Sequence, residues 1–137
     1  EANRAKIINR NSELTHKESI ILEAAHDGYK KLFNNCIHSR KLTLHKNTFH
    51  LYDEIKGKFN FANSYLYFHS SLDVTLEKNL LKVVGPDFII KSNLVGMSAS
   101  LNDSYWNPQF GISIPNKVLE IEFKKNYLEI VFNWNSF

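Results

Sequence analysis

Apolar and aromatic residues come in short runs along this 137-residue chain, and the runs are separated by Asn, Gly, Ser, Lys and Pro. That punctuation marks successive short strands joined by turns, the pattern of an all-β sandwich or barrel. It predicts strands at Ala5–Asn9, Ser19–His26, Ile37–His45, Thr48–Ile55, Ser64–Ser70, Asp73–Lys78, Leu80–Val84, Phe88–Lys91, Gly96–Asn102, Lys117–Phe123 and Tyr127–Trp134. The expected fold is an antiparallel β-sandwich of about ten short strands, in a single domain over residues 1–137. Ile21, Leu22, Ala24 and Ala25 would also suit a short helix within Glu18–Phe33. Gly28 and the strand-rich surroundings favour a strand there.

Two hairpins stand out. Side chains alternate faces along a strand, so Arg40, Leu42 and Leu44 share one face of their strand, and Phe49, Leu51 and Asp53 share one face of the next. If Lys46-Asn47 is a two-residue turn, with Asn47 taking the positive φ such turns need, Leu44 faces Phe49, Leu42 faces Leu51 and Arg40 faces Asp53. Apolar and charged pairs then fall into register together, and Arg40 and Asp53 should form a cross-strand ion pair at the edge of the core face. A second hairpin is expected from Lys117–Phe123 and Tyr127–Trp134, turning at Lys124-Lys125-Asn126. In it Leu119, Ile121, Phe123, Leu128, Ile130, Phe132 and Trp134 face inward, and Glu120, Glu122 and Glu129 face water.

Composition agrees with this picture. Hydrophobic residues are 43% of the chain, enough for one packed core, and ten Phe, six Tyr and two Trp favour pleated surfaces. The net charge of +3 is scattered, and the pairs Lys30-Lys31 and Lys124-Lys125 are too short for a phosphate-binding patch, which argues against nucleic acid. No apolar run is long enough to span a membrane as a helix, so no membrane partner is expected. Cys36 is the single cysteine, which rules out an internal disulfide and a Cys-x-x-Cys zinc site; it reads as a small buried or half-buried thiol. The opening Glu1-Ala2-Asn3-Arg4 has no Met and reads as part of a longer protein.

Candidate chemistry is sparse. The six histidines, His16, His26, His38, His45, His50 and His69, lack the helical spacing of a metalloprotease. His38 and His45 should point to opposite faces. His26-Asp27-Gly28-Tyr29 is more distinctive, since Gly28 permits a sharp turn and His and Tyr are proton-transfer residues. It reads either as a general acid/base pair or as a polar turn, and the turn is favoured because no third orienting group is in view. There is no Gly-x-Ser-x-Gly elbow and no glycine-rich phosphate loop. Tyr105-Trp106-Asn107-Pro108 with Phe110 could stack on sugar rings, but an aromatic loop plugging the end of the sandwich is the favoured reading.

Several of these stretches, in order, resemble the C-terminal region of heparinase II/III-like proteins. Asn3-Arg4-Ala5-Lys6-Ile7 looks like that family's Arg-Ala strand, His26-Asp27-Gly28-Tyr29 like its His-x-Gly-Tyr, and His38-Ser39-Arg40 like its His-x-Arg strand. Leu51-Tyr52-Asp53-Glu54-Ile55-Lys56-Gly57 is similar to the hydrophobic strand that ends in Asp with Gly after it. Tyr67-Phe68-His69-Ser70 stands where the family often has His-Pro, here without the Pro. Tyr105-Trp106-Asn107-Pro108-Gln109-Phe110-Gly111 resembles its Tyr-x-Pro-x-Phe-Gly segment. The resemblance implies a β-sandwich packed beside an α/α toroid, and β-elimination at a uronic acid unit of an acidic polysaccharide in the intact protein. It also implies a periplasmic or extracellular location. The family's base, its carboxylate-neutralising group and its His-x-His and His-Asn-Thr metal segments have no counterpart here. The resemblance therefore carries no catalytic and no metal residue onto this chain. A structural divalent metal would be held upstream, with no cofactor in this part. The expected partners are the α/α toroid and the acidic polysaccharide. His26, Tyr29, Arg40 and Asp53 are expected to be architectural, with a toroid or sugar contact as the lesser alternative, and Tyr105 and Trp106 are further candidates for such contact. The rival to this reading is a stand-alone carbohydrate-binding sandwich module.

Overall fold

The structure is a computed structural model that describes residues 6–14, 19–29 and 35–136. Asn3, Arg4 and Ala5 of the Arg-Ala match, His16, Lys30-Lys31 and the ends of the Glu18–Phe33 helix alternative lie outside the described residues. Among the described residues there are eleven strands and no helix. They are β1 Ile7–Leu14, β2 Ser19–His26, β3 Ile37–His45, β4 Thr48–Lys56, β5 Asn63–Tyr67 and β6 Asp73–Glu77. The rest are β7 Leu80–Val84, β8 Phe88–Asn93, β9 Ala99–Gln109, β10 Ile112–Glu122 and β11 Tyr127–Ser136. An eight-stranded sheet runs β1-β2-β3-β4-β11-β8-β7-β6 and a three-stranded sheet β5-β10-β9. The fold is the antiparallel β-sandwich expected from the pattern.

Two compact units divide the chain. One holds the residues up to Ala62 with Phe123–Val131, the other Asn63–Glu122 with the chain from Phe132 onward.

In the first unit the β3–β4 hairpin has the expected register: Leu44 faces Phe49, Leu42 faces Leu51 and Arg40 faces Asp53. The positive φ of the turn sits on Lys46 (+48°) and not, as expected, on Asn47. The β2–β3 register then places Ile20 beside Leu44, Leu22 beside Leu42, Ala24 beside Arg40 and His26 beside His38. All of these share one face of the sheet. Burial along that face declines strand by strand: Leu51 on β4 is 1% exposed, Leu22 on β2 is 46%, and Leu14 on β1 is 76%. Cys36 is buried, as expected, with Sγ 3.3 Å from the Lys58 carbonyl.

In the second unit Val74, Leu81, Val83, Leu119 and Ile121 are buried, each on the inward face set by period-two alternation.

Two expectations are corrected here. Lys117–Phe123 and Tyr127–Trp134 do not form a hairpin. β10 pairs with β5 and β9 in the small sheet, whereas β11 pairs with β8 in the large one. The inward alternation was right, because both sheets of a sandwich present the same pattern to the core, but alternation does not name the neighbour. Nor do Tyr105–Phe110 form an aromatic plug. Ser104–Gln109 extend β9 into a long hairpin with β10, and Tyr105, Trp106 and Phe110 are exposed.

Candidate functional site

The first unit gathers three of the singled-out residues, His26, Arg40 and Asp53, into one bonded chain with His38. Asp53 is 0% exposed, and Arg40 reaches it from the neighbouring strand with two hydrogen bonds. Arg40 Nε donates to Asp53 Oδ1 at 2.6 Å and Arg40 Nη2 to Oδ2 at 2.6 Å. This fork-to-fork geometry is the strong form of an ion pair. The Arg40 side chain keeps 30% of its surface exposed.

Two residues before Arg40, on the same face of β3, His38 brings its Nε2 to 3.3 Å from Asp53 Oδ1. His38 Nδ1 lies 3.3 Å from His26 Nε2, with the rings edge to face at 5.3 Å between centroids. Beyond His26 the chain turns at Gly28, whose N–H donates to His26 Nδ1 at 3.2 Å. That donor assigns every proton in the row. A neutral imidazole has one N–H and one acceptor nitrogen. His26 accepts on Nδ1, so it carries its proton on Nε2 and donates to His38 Nδ1. His38 then donates from Nε2 to the Asp53 carboxylate. The row reads Gly28 N–H to His26 to His38 to Asp53.

The electrostatics agree. The His26 pKa is lowered from its ordinary 6.5, first by desolvation and then by the neighbouring His38, against an opposing pull from Asp27. Asp27 itself ties the turn to β1 by accepting from Lys6 N–H on Oδ1 at 2.7 Å, while its own N–H donates to the Lys6 carbonyl at 3.1 Å. The Tyr29 ring rests against His26 at 5.4 Å between centroids.

The row supplies the third orienting group that was missing from the sequence reading, yet it argues against a catalytic base. Both ring nitrogens of His26 and of His38 are engaged inside the protein, so neither offers a lone pair to a ligand. The same engagement leaves no donor set for a metal, and among the described residues no group of three His, Cys, Asp or Glu side chains could hold one. The arrangement brackets three strands and a turn. His38 is the member that sequence reasoning missed; its position two residues before Arg40 placed it on the right face, but its contact with His26 depends on the β2–β3 register.

Tyr105 and Trp106 belong to the second unit and point to opposite faces of β9. Trp106 pairs across to Ile114 and touches the His69 ring at 5.2 Å between centroids. His45, on the opposite face of β3 from His38, contacts Ser19 Oγ at 2.8 Å.

No protein-family profile matches this sequence, and no curated protein sequence matches it. Solved structures do match. The heparan sulfate lyase HepC from Pedobacter heparinus superposes on 98% of the chain with TM-score 0.66 at 17% identity, and a mutant of that enzyme on 98% with TM-score 0.63 at 18%. A heparinase III gene product covers 100% of the chain with TM-score 0.68 at 13% identity. The chain spans 22% of each of those proteins. Identities this low establish a shared fold: the chain is a β-sandwich structurally related to part of these heparin-type polysaccharide lyases.

Proposed function

We propose that the chain is the non-catalytic C-terminal β-sandwich of a heparinase II/III-like polysaccharide lyase, and that it buttresses the catalytic α/α toroid of the intact protein. The observation that carries this reading is the face of the first unit. Leu14, Ile20 and Leu22 are exposed there in one continuous apolar stripe beside the Arg40–Asp53 pair. A contiguous apolar face of this kind is the mark of an interaction surface. The fold likeness to lyases several times longer supports a partner within the same longer protein. On this reading the intact protein performs β-elimination on a uronic-acid-containing polysaccharide. Its base, its carboxylate-neutralising group and any structural divalent metal sit outside this chain.

The test compares the 137-residue chain with the longer protein in which a helical toroid precedes it. Incubated with heparan sulfate, the chain alone should generate no unsaturated uronate and the longer protein should. Elimination by the chain alone, abolished by Tyr29→Phe, would overturn the proposal.

A further inference from the structure

On the β5-β10-β9 sheet the register lines up two cross-strand rows. Tyr67 lies beside Val118 and Asn102, and Tyr65 beside Glu120 and Ser100. Residues directly opposite in an antiparallel pair project to the same side, and Trp106, four residues past Asn102, projects there too. The other side carries Leu119 and Ile121, which are buried. The Tyr65, Tyr67 and Trp106 face is thus the outer one, and all three rings are exposed, Tyr67 most of all at 65%. Two tyrosines two residues apart on one strand stand about 7 Å from each other.

The polar groups between the rings are held in fixed positions. Glu120 Oε1 accepts from Asn63 Nδ2 and from the Tyr65 hydroxyl, the latter at 3.2 Å. Glu120 Oε2 accepts from Asn102 Nδ2 at 3.2 Å. Asn63 Oδ1 and, further along the same face, Asn116 Oδ1 are shielded and accept no hydrogen bond among the described residues. An ordered water or a ligand hydroxyl is the usual relief for such an orphan. The single charge in these rows is Glu120, and three donors already satisfy its carboxylate. Among the described residues of these rows no cation accompanies it: Lys117 lies on the other side by register and pairs with Asp103 at 2.5 Å.

We propose that this outer face binds an uncharged, hydroxyl-rich glycan chain. A sugar ring has a C–H face that packs on aromatic faces and a rim of hydroxyls that needs donors and acceptors in fixed places. Tyr65, Tyr67 and Trp106 supply the first, and Glu120 with Asn102 the second. Glu120, and Glu122 two residues further along the same side beside Asn63, disfavour a polyanion. The occupant therefore differs from the acidic substrate of the preceding section, and the surface is independent of that reading.

The test is retardation of the 137-residue chain in native gels cast with a mixed-linkage glucan, a xylan or a galactomannan, with heparan sulfate as the charged comparator. At least one uncharged polysaccharide should retard the chain. Tyr67→Ala and Trp106→Ala should each weaken that affinity about tenfold, as anchor residues do, with circular dichroism unchanged because both side chains are exposed. Three results would each overturn the proposal: no retardation by any uncharged polysaccharide, as expected if the face covers another protein; retardation that both substitutions leave intact; or stronger retardation by heparan sulfate through the same residues.

Discussion

Asp53 and Arg40 are unequal partners, and the inequality can be measured. Removing one member of a buried ion pair strands the other, at a cost of about 3–5 kcal/mol when the stranded charge is fully buried. Arg40→Ala would take the guanidinium from a carboxylate that has no exposure and keeps its His38 contact, while Asp53→Ala would take the carboxylate from a guanidinium that keeps 30% of its surface in water. In urea denaturation at neutral pH, Arg40→Ala should therefore be the more damaging, near the upper end of that range, and Asp53→Ala nearer about 3 kcal/mol. Equal losses below about 1 kcal/mol would show the pair to behave as a surface contact. His26 gives a second test. Its folded-state pKa lies below 6.5, so the fold favours the neutral ring. Between that lowered value and 6.5 the unfolded chain binds more protons than the folded one. This contribution is complete above pH 6.5, is lost as the pH falls through the lowered value, and is level below it. Urea midpoints should drop on that acid side, and His26→Gln should drop less over the same interval. The Arg40–Asp53 pair was legible in the sequence because it needs only one hairpin and one parity rule. The continuation through His38 to His26 was not, because it needs the position of a third strand.

Turns set which strands meet, and their strain is visible at single residues. The β6–β7 turn holds Lys78 at φ +47° and Asn79 at +66°, both in the left-handed region. Two consecutive positive φ values suit the Asn-Gly pair of a type I′ turn better than Lys-Asn. The double substitution Lys78→Asn with Asn79→Gly should raise thermal stability by about 1 kcal/mol or less; no change would mean that the greater freedom of glycine in the unfolded chain offsets the strain relieved in the folded turn. Gly57 is the opposite case, with φ +122° and a Cβ that would sit 3.0 Å from both Cα and Sγ of buried Cys36. Gly57→Ala should cost about 1–3 kcal/mol from backbone strain, and Cys36→Ala should restore part of that loss by removing Sγ. Of the turns, the one at Lys46-Asn47 was legible because the side chains on either side matched in pairs. The connection at Lys124-Lys125-Asn126 was misread as a hairpin because two strands that both face a core look alike whether they lie in one sheet or in two. The aromatic stretch Tyr105–Phe110 was misread because large rings are more often buried than displayed. Here they occupy a hairpin that extends past the core, and nothing in their own spacing distinguishes the two cases.

For the molecule as a whole, the open question is what covers the apolar stripe of the first unit. Full burial of a Leu or Ile side chain is worth about 1.5–3 kcal/mol. Ile20 at 43% and Leu22 at 46% exposure withhold roughly half of that, so a partner that covers both gains on the order of 2 kcal/mol before Leu14 is counted. Leu22→Asp separates the two states of the chain. In the isolated 137 residues the position is half-exposed, and the substitution should cost about 1 kcal/mol, the half of the Leu22 burial already realised. Joined to a helical toroid, the same carboxylate would be desolvated without a partner and should oppose docking by several times that amount. The measurement is the thermal midpoint of this β region in each context, followed by limited proteolysis. Docking should raise the midpoint in the joined protein, and Leu22→Asp should return it to that of the isolated chain with the same substitution. If the midpoint is the same in both contexts and Leu22→Asp lowers both alike, the stripe is open to water in the working protein. The β region would then hang from the toroid by covalent connection alone, and its contribution would have to come from the outer face of the β5-β10-β9 sheet.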